Sequence, residues 1–324
     1  MPGTFKTSTT AAFLTLFAAA IASGAKAADY PDHTIQLIVP YAPGGVTDQI
    51  ARILALGIGS KLGQSVQVVN RAGDSTLIGT ETVAHASPDG YTIEMVSMPF
   101  VSNVTLSKHL PYSQSDFAPI GTIANSPNLL VVNSSLRVNS LKEFITYVKA
   151  HSGKIAYATS GIGSGGHLAA LQFERQIGQK LRAVHYRGGV PASVGVMNGE
   201  AQFEFSGPLA IAGSISAGKL KPLAVASRKR LSIYPKVPTF LESGFNYTQG
   251  TWFGLVAPAH TPDPIVQKLA AAAKYTMEDT DARWTLVDSG AEVFVTSPQE
   301  FAKFIADQTK YWGDLLRGLS IQKE

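Results

Sequence analysis

Two rhythms of apolar residues alternate along the chain. Short runs such as TIQLIV (34–39), SVQVVN (65–70), YTIEMVS (91–97) and NLLVVN (128–133) have the length and β-branched content of strands. KIAYATS (154–160), RAVHY (182–186) and AQFEFS (201–206) continue the series. Longer stretches between them repeat at helical spacing: residues 48–62 place Ile50, Ile53, Leu54 and Ile58 on one stripe. ETVAHAS (81–87) predicts a helix stopped by Pro88, and SPDG a turn into the next strand. SLKE (140–143) has the spacing of a capping box and opens a helix that ends in glycine. HLAALQFERQIG (167–178) and SVGVMNGE (193–200) are further helices. This βαβα order predicts an α/β protein with largely parallel sheets and helices on both faces. From about Pro262 the pattern is mostly helical, with Ser297, Pro298 and Glu300 in capping register.

The first residues break the pattern. Lys6 precedes the apolar run AAFLTLFAAAIA (11–22), and Ala25-Lys26-Ala27 has the small-x-small form of a leader cleavage site. The run is too short to remain as a bilayer-spanning helix. A soluble, exported chain is expected, with residues 1–27 removed. Cleavage takes away Lys6 and Lys26 and no acid, so the formal charge falls from +4 to +2. That charge is spread along the 324 residues without a basic block, SRKRL (227–231) being a short solvated loop, so nucleic acid is not an expected partner. The sequence contains no cysteine, which excludes thiol catalysis, cysteine-bound zinc and iron–sulfur clusters.

Candidate chemistry sits at two glycine-rich strand-to-helix junctions, VPYAPGGVTD (39–48) and YATSGIGSGGH (157–167). GIGSGG (161–166) has the form of a dinucleotide fingerprint, but the following strand lacks the acid that would hold a ribose. APGGVTD has no Walker lysine. A nucleophile elbow at Ser164 would need glycine where Ile162 stands, and His167 is poorly placed as its base. The dispersed histidines offer no metal pair. Neither a cofactor nor a metal is expected. A merely tight turn and anion binding by backbone are left. A helix start presents unpaired N–H groups and the positive end of its dipole, and glycine allows close approach. Two such junctions, one per half, favour a shared anion cleft. Asp48 suits a brace for its loop better than an anion ligand.

The ordered motifs YPDHTIQLIVPYAPGGVTDQIARILA, VVNRAG, IGTETVAHASPDGYTI, LPYSQSDFAPI, YATSGIGSGGHLAALQF, VHYRGG, AGKLKPLAVASRKRLSIYPKVPTFLESG and TWFGLVAPAHTPDPIVQKL resemble the Bug family. These are the solute receptors of tripartite tricarboxylate transporters. The resemblance runs from about Tyr30 to the C-terminus. It implies a two-lobed type II periplasmic-binding fold with the ligand cleft between lobes, one lobe spanning 29–127 plus 252–324 and the other 128–251. It also implies a non-enzymatic protein that closes on a small carboxylate and delivers it to a two-part membrane permease. Family members hold a carboxylate between loops matching 41–48 and 159–167, partly through water.

The expected ligand-binding residues are Tyr41, Gly44, Gly45, Val46, Thr47, Asp48, Ser97, Asn103, Thr159, Ser160, Gly163, Ser164, Gly165, His167, Arg187 and Ser206. Compared with the family pattern, Val46 replaces a third glycine, Ser206 stands where many members have aspartate, and MPFVSNVTL (98–106) is more apolar than usual. With Met98 and Phe100 these departures suit a dicarboxylate with an apolar body, such as terephthalate or an aliphatic diacid. Met98 and Phe100 also read as ordinary core, Arg187 as a surface ion pair and Trp252 as packing. A monomer is the default expectation. A sensor-linked binding protein and a secreted serine hydrolase using Ser164 are the other functional classes.

Overall fold

The computed structural model describes residues 30–278 and 281–318; the expected leader, 1–27, lies outside them. The chain begins with β1 (Ile35–Val39), α1 (Val46–Leu62), β2 (Val66–Asn70) and α2 (Leu77–Ala84). Next come β3 (Thr92–Val96), α3 (Pro99–Leu106) and the long β4 (Phe117–Ser126). A second set follows: β5 (Leu129–Asn133), α4 (Leu141–Ala150), β6 (Ala156–Thr159), α5 (Gly165–Ile177), β7 (Arg182–His185) and α6 (Gly189–Met197). It ends with β8 (Phe203–Ser206), α7 (Pro208–Ser216) and β9 (Leu220–Val225). The chain then returns through β10 (Thr251–Pro258), α8 (Asp263–Met277), α9 (Asp281–Asp288), β11 (Glu292–Val293) and α10 (Pro298–Gly318).

Two sheets result, ordered β11-β4-β10-β3-β1-β2 and β7-β6-β8-β5-β9. Both are mixed, which corrects the expectation of largely parallel sheets. β1 is parallel to β2 and β3, and β6 is parallel to β7 and β8. β10 runs against β3 and β4, and β5 runs against β8 and β9. The reversed strands are β10 and β11 in the first sheet and β5 in the second; β5 enters the second sheet after β4, and β10 brings the chain back. A β-α-β rhythm reports the parallel units and is silent on these returns.

The helices form where local chemistry permits. Ser140 caps α4 by accepting from the Glu143 N–H at 3.1 Å. Ser297 and Glu300 form the full reciprocal pair at the start of α10, with the Ser297 N–H bonding Glu300 Oε2 at 2.8 Å. Each sheet is packed by its own apolar cluster. Phe144, Phe173 and Phe203 fill one face of the second sheet, and Leu129, Val131 and Val196 the other. Val96, Phe100, Trp252 and Phe301 belong to the cluster of the first sheet, and Leu168 and Leu171 of α5 join it. The two lobes therefore share apolar contact as well as strand crossovers. Among the described residues no helix is long and apolar enough to cross a membrane.

Candidate functional site

The loop from β1 to α1 is set by Asp48. Its Oδ2 accepts from the Gly44 N–H at 2.9 Å and from Arg52 Nε at 2.9 Å. Its Oδ1 accepts from Arg52 Nη2 at 3.0 Å and Asn70 Nδ2 at 2.8 Å. Asn70, at the end of β2, also donates to the Tyr41 carbonyl, while Gln49 Nε2 holds the Gly44 carbonyl. Gly44 sits at φ +83°, a conformation glycine adopts without strain. Burial works to raise the pKa of Asp48, but the bonds from Arg52, Gly44 and Asn70 outweigh it and hold the carboxyl below its ordinary range. Asp48 is thus spent inside the loop, facing α1 and β2.

The loop from β6 to α5 is braced in the same manner by its own side chains. Thr159 Oγ1 bonds the Gly161 N–H and His185 Nδ1 at 3.1 and 2.8 Å. Ser164 caps α5, accepting from the His167 N–H at 3.3 Å. His167 Nδ1 accepts from the Gly163 N–H at 3.0 Å. Burial, with His185 nearby, pushes the His167 pKa down to about 3, so the ring is neutral and its proton sits on Nε2. A Ser164–His167 catalytic pair would lack a basic histidine, since His167 Nδ1 already accepts from the Gly163 N–H.

The braced loops leave backbone facing a common cavity. Its wall includes Tyr41, Gly45, Val46, Thr47, Ser97, Ser160, Gly165 and Ser206. Of the other residues expected there, Gly44, Asp48, Thr159, Gly163, Ser164 and His167 do not line it and take part in the loop bonds described above. Asn103 is also off the cavity, donating to the Ser75 carbonyl at 2.9 Å. Arg187 is exposed; its backbone carbonyl, not its guanidinium, reaches the other lobe by accepting from the Ala42 N–H at 3.2 Å. Met98 and Phe100 belong to the core of the first sheet and do not line the cavity. Trp252 packs edge-on against Phe301 and Phe304.

Sequence reasoning missed Ser126, Asn128, Gly166, Gly189, Phe205, Gly207, Thr251 and Phe253 on the wall. Two of them reveal the main feature. Gly188 is the N-cap of α6 and Gly207 that of α7, as Gly45 is of α1, and none of the three helices has a side-chain cap. Gly189 and Gly207 lie on the wall with Gly45, Val46, Gly165 and Gly166. Four helix starts, those of α1, α5, α6 and α7, therefore open onto one cavity. GGVP (188–191) and SGPL (206–209) place glycine ahead of proline in these first turns, a pattern shared with ordinary turns.

No lysine, arginine, aspartate or glutamate lines the cavity. Its donors are backbone N–H groups, which lack acceptors in a helix's first turn, and the hydroxyls of Tyr41, Thr47, Ser97, Ser126, Ser160, Ser206 and Thr251. Tyr41 and Ser97 share a hydrogen bond of 3.2 Å between hydroxyls. Burial pushes the Tyr41 phenol well above its ordinary pKa, so it stays a neutral donor. Aromatic area comes from Tyr41, Phe205 and Phe253. The lobes meet around this space: Ser102 Oγ donates to the Gly163 carbonyl at 3.0 Å. Only about 60 Å³ is open to the centre of a water molecule. The chemistry of this wall suits a small anion; among the described residues no cluster could hold a metal ion.

Residues 50–321 match the family model described as tripartite tricarboxylate transporter family receptor. The chain belongs to that family. It is accordingly a solute-binding receptor and not an enzyme. It is 33% identical to protein BugT of Bordetella pertussis, covering 92% of this chain and 93% of that one. The solved periplasmic binding protein BugD superposes with a TM-score of 0.87 at 32% identity, covering 91% of the receptor and all of BugD. An R. palustris protein solved with adipate gives a TM-score of 0.88 at 30% identity, over 91% of the receptor and 100% of that chain.

Proposed function

We propose that the receptor captures a small dicarboxylate with an apolar body in the periplasm and delivers it to a two-part membrane permease. One observation carries the ligand class: four helix starts, three capped only by glycine, converge on a cavity whose wall has no charged side chain. Such a site favours an anion through aligned dipoles and unpaired N–H groups, and disfavours a cation. Val46, Phe205 and Phe253 suit an apolar stretch between two carboxylates. Adipate in a protein 30% identical supports a diacid of about that length, and the aromatic wall extends the class to terephthalate. Ser206, in place of an acid, spares the second carboxylate a like charge.

Capture works by closure. Lobe one comprises 29–127 with 252–324 and lobe two 128–251, and each contributes two or more wall segments, so the full set of donors exists only when they meet. Ligand then favours the closed arrangement by its differential affinity. The leader sequence supports export, and the receptor works as a monomer.

Thermal unfolding against adipate, terephthalate, malate, citrate and an amino acid tests the reading. A ligand at 100 times its dissociation constant adds about 2.7 kcal/mol of stability. We expect the midpoint to rise with adipate or terephthalate and little with citrate. Thr47 lines the cavity, and its hydroxyl has no protein partner among the described residues. Thr47→Val should leave the unliganded midpoint unchanged and weaken the diacid by about 1.5–3 kcal/mol, the worth of a hydrogen bond to a charged group. A rise with citrate alone, or with no carboxylate, would overturn the proposed class.

A further inference from the structure

Between β2 and α2 the chain makes a left-handed turn, Asp74–Thr76. Asp74, Ser75 and Thr76 follow one another at φ +43°, +50° and +80°. Among the described residues the one other non-glycine at positive φ is His260, which stands alone. An L side chain in this region crowds its own backbone. Aspartate tolerates it best of the three, and a β-branched threonine worst. Glycine would adopt the same angles freely, yet the turn holds none beyond Gly73 at its start. Strain of this kind persists only where the surroundings hold it, and it gathers at ligand clamps and switches.

Two neighbours hold the turn. Asn103 of α3, fully buried, donates through Nδ2 to the Ser75 carbonyl at 2.9 Å. This clamp comes from the same side of the cleft as the turn. The other comes from across it. A Cβ placed at Gly161, in the β6–α5 loop, would lie 3.6 Å from Ser75 Oγ and 3.7 Å from Ser75 Cα. Gly161 adjoins Ser160 of the cavity wall. Two residues on, the Gly163 carbonyl accepts from Ser102 Oγ, next to Asn103, at 3.0 Å. The turn is therefore wedged between α3 and the β6–α5 loop at the edge of the cleft.

We infer, on the reading that the lobes close over the ligand, that the Asp74–Thr76 turn is a spring loaded by closure. When the lobes part, Gly161 and Gly163 withdraw with the β6–α5 loop. The Asn103 bond is then left to hold three residues in an unfavourable conformation, and the turn relaxes. Relaxation stabilises the open form relative to the closed one. The ligand must supply that difference through its greater affinity for the closed arrangement. A receptor that has to surrender its solute gains from such a bias, because the emptied cleft does not stay shut.

The chain has no cysteine, so Gln67→Cys with Arg182→Cys carries two spin labels. Both positions are exposed, on the outer strands β2 and β7 of the two sheets. Pulsed electron paramagnetic resonance without ligand should show a short and a long distance. In this background Ser75→Gly removes strain at the centre of the turn, whereas Ser75→Ala removes the hydroxyl and keeps the strain. We expect Ser75→Gly to raise the ratio of short to long by about fivefold, the weight of one left-handed L residue. Ser75→Ala should match the parent protein. An unchanged ratio in Ser75→Gly, or the same shift in Ser75→Ala, would overturn the spring while leaving closure intact. A single short distance in all three proteins would contradict closure itself, and the spring with it. No ligand enters the comparison, so the result is independent of the ligand class.

Discussion

At the scale of single residues, the receptor separates charge that shapes the site from groups that meet the ligand. Asp48 and His167 come from the two glycine-rich motifs, yet both face away from the cavity and orient backbone that faces it. Glu94 is a different case. It lies fully buried on β3, accepting from Thr80 Oγ1 at 2.8 Å through one oxygen while the other has no partner. Burial raises its pKa from an ordinary 4.5 to about 8, despite the Thr80 bond. Glu204 on β8 is raised to about 7 by burial, with Ser193 opposing. Below about 4.5 both carboxyls are protonated in folded and unfolded chains. Between that value and the raised one, the unfolded chain ionises while the folded chain stays neutral. Stability should therefore fall as pH rises through this window. Glu94→Gln keeps a partner for Thr80 and removes the titration. Relative to wild type, its stability should gain up to about 1.4 kcal/mol per pH unit between pH 5 and 8. Denaturant unfolding at pH 5, 6, 7 and 8 checks this; parallel curves for the two proteins would contradict it.

At the scale of elements, the deciding feature is where helices begin. Glycine N-caps on α1, α6 and α7 leave the first-turn N–H groups without side-chain partners and remove bulk where the lobes meet. Gly207 shows the second effect. A Cβ placed there would lie 2.5 Å from Ser126 Oγ and 2.8 Å from Val46 Cγ2, both in the opposite lobe. Its φ of −73° suits any residue, so Gly207→Ala should fold normally and fail to close. We expect an unliganded melting midpoint within about 2 °C of wild type, and diacid affinity reduced at least tenfold. Unchanged affinity would mean that this contact plays no part in closure. The starts of α1 and α5 were legible in sequence because each follows a strand with a long run of glycine and small hydroxyl residues. Those of α6 and α7 were not, since GGVP and SGPL look like ordinary turns until the sheet order brings them beside the first pair. The reversed directions of β5 and β10 escaped for a related reason: their pairing is set by partners distant in sequence, not by a local period.

At the scale of the whole molecule, the first and last thirds of the chain build one sheet and the middle builds the other. Leu168 and Leu171 of α5 packing into the first lobe's cluster, with the Ala42–Arg187 and Ser102–Gly163 hydrogen bonds, fix how the lobes meet. Met98 and Phe100 illustrate how composition misleads at this scale. Their apolar character belongs to the core that supports the cleft, and the apolar wall comes from Phe205 and Phe253 instead. On the proposed reading, aligned backbone N–H groups, and no cationic side chain, select for negative charge. Titration calorimetry tests it with the dicarboxylate that stabilises the receptor most and with the neutral diamide of the same skeleton. We expect the dianion to bind at least a hundredfold more tightly than the diamide. Comparable affinities, or binding of the diamide alone, would contradict an anion site built from helix starts.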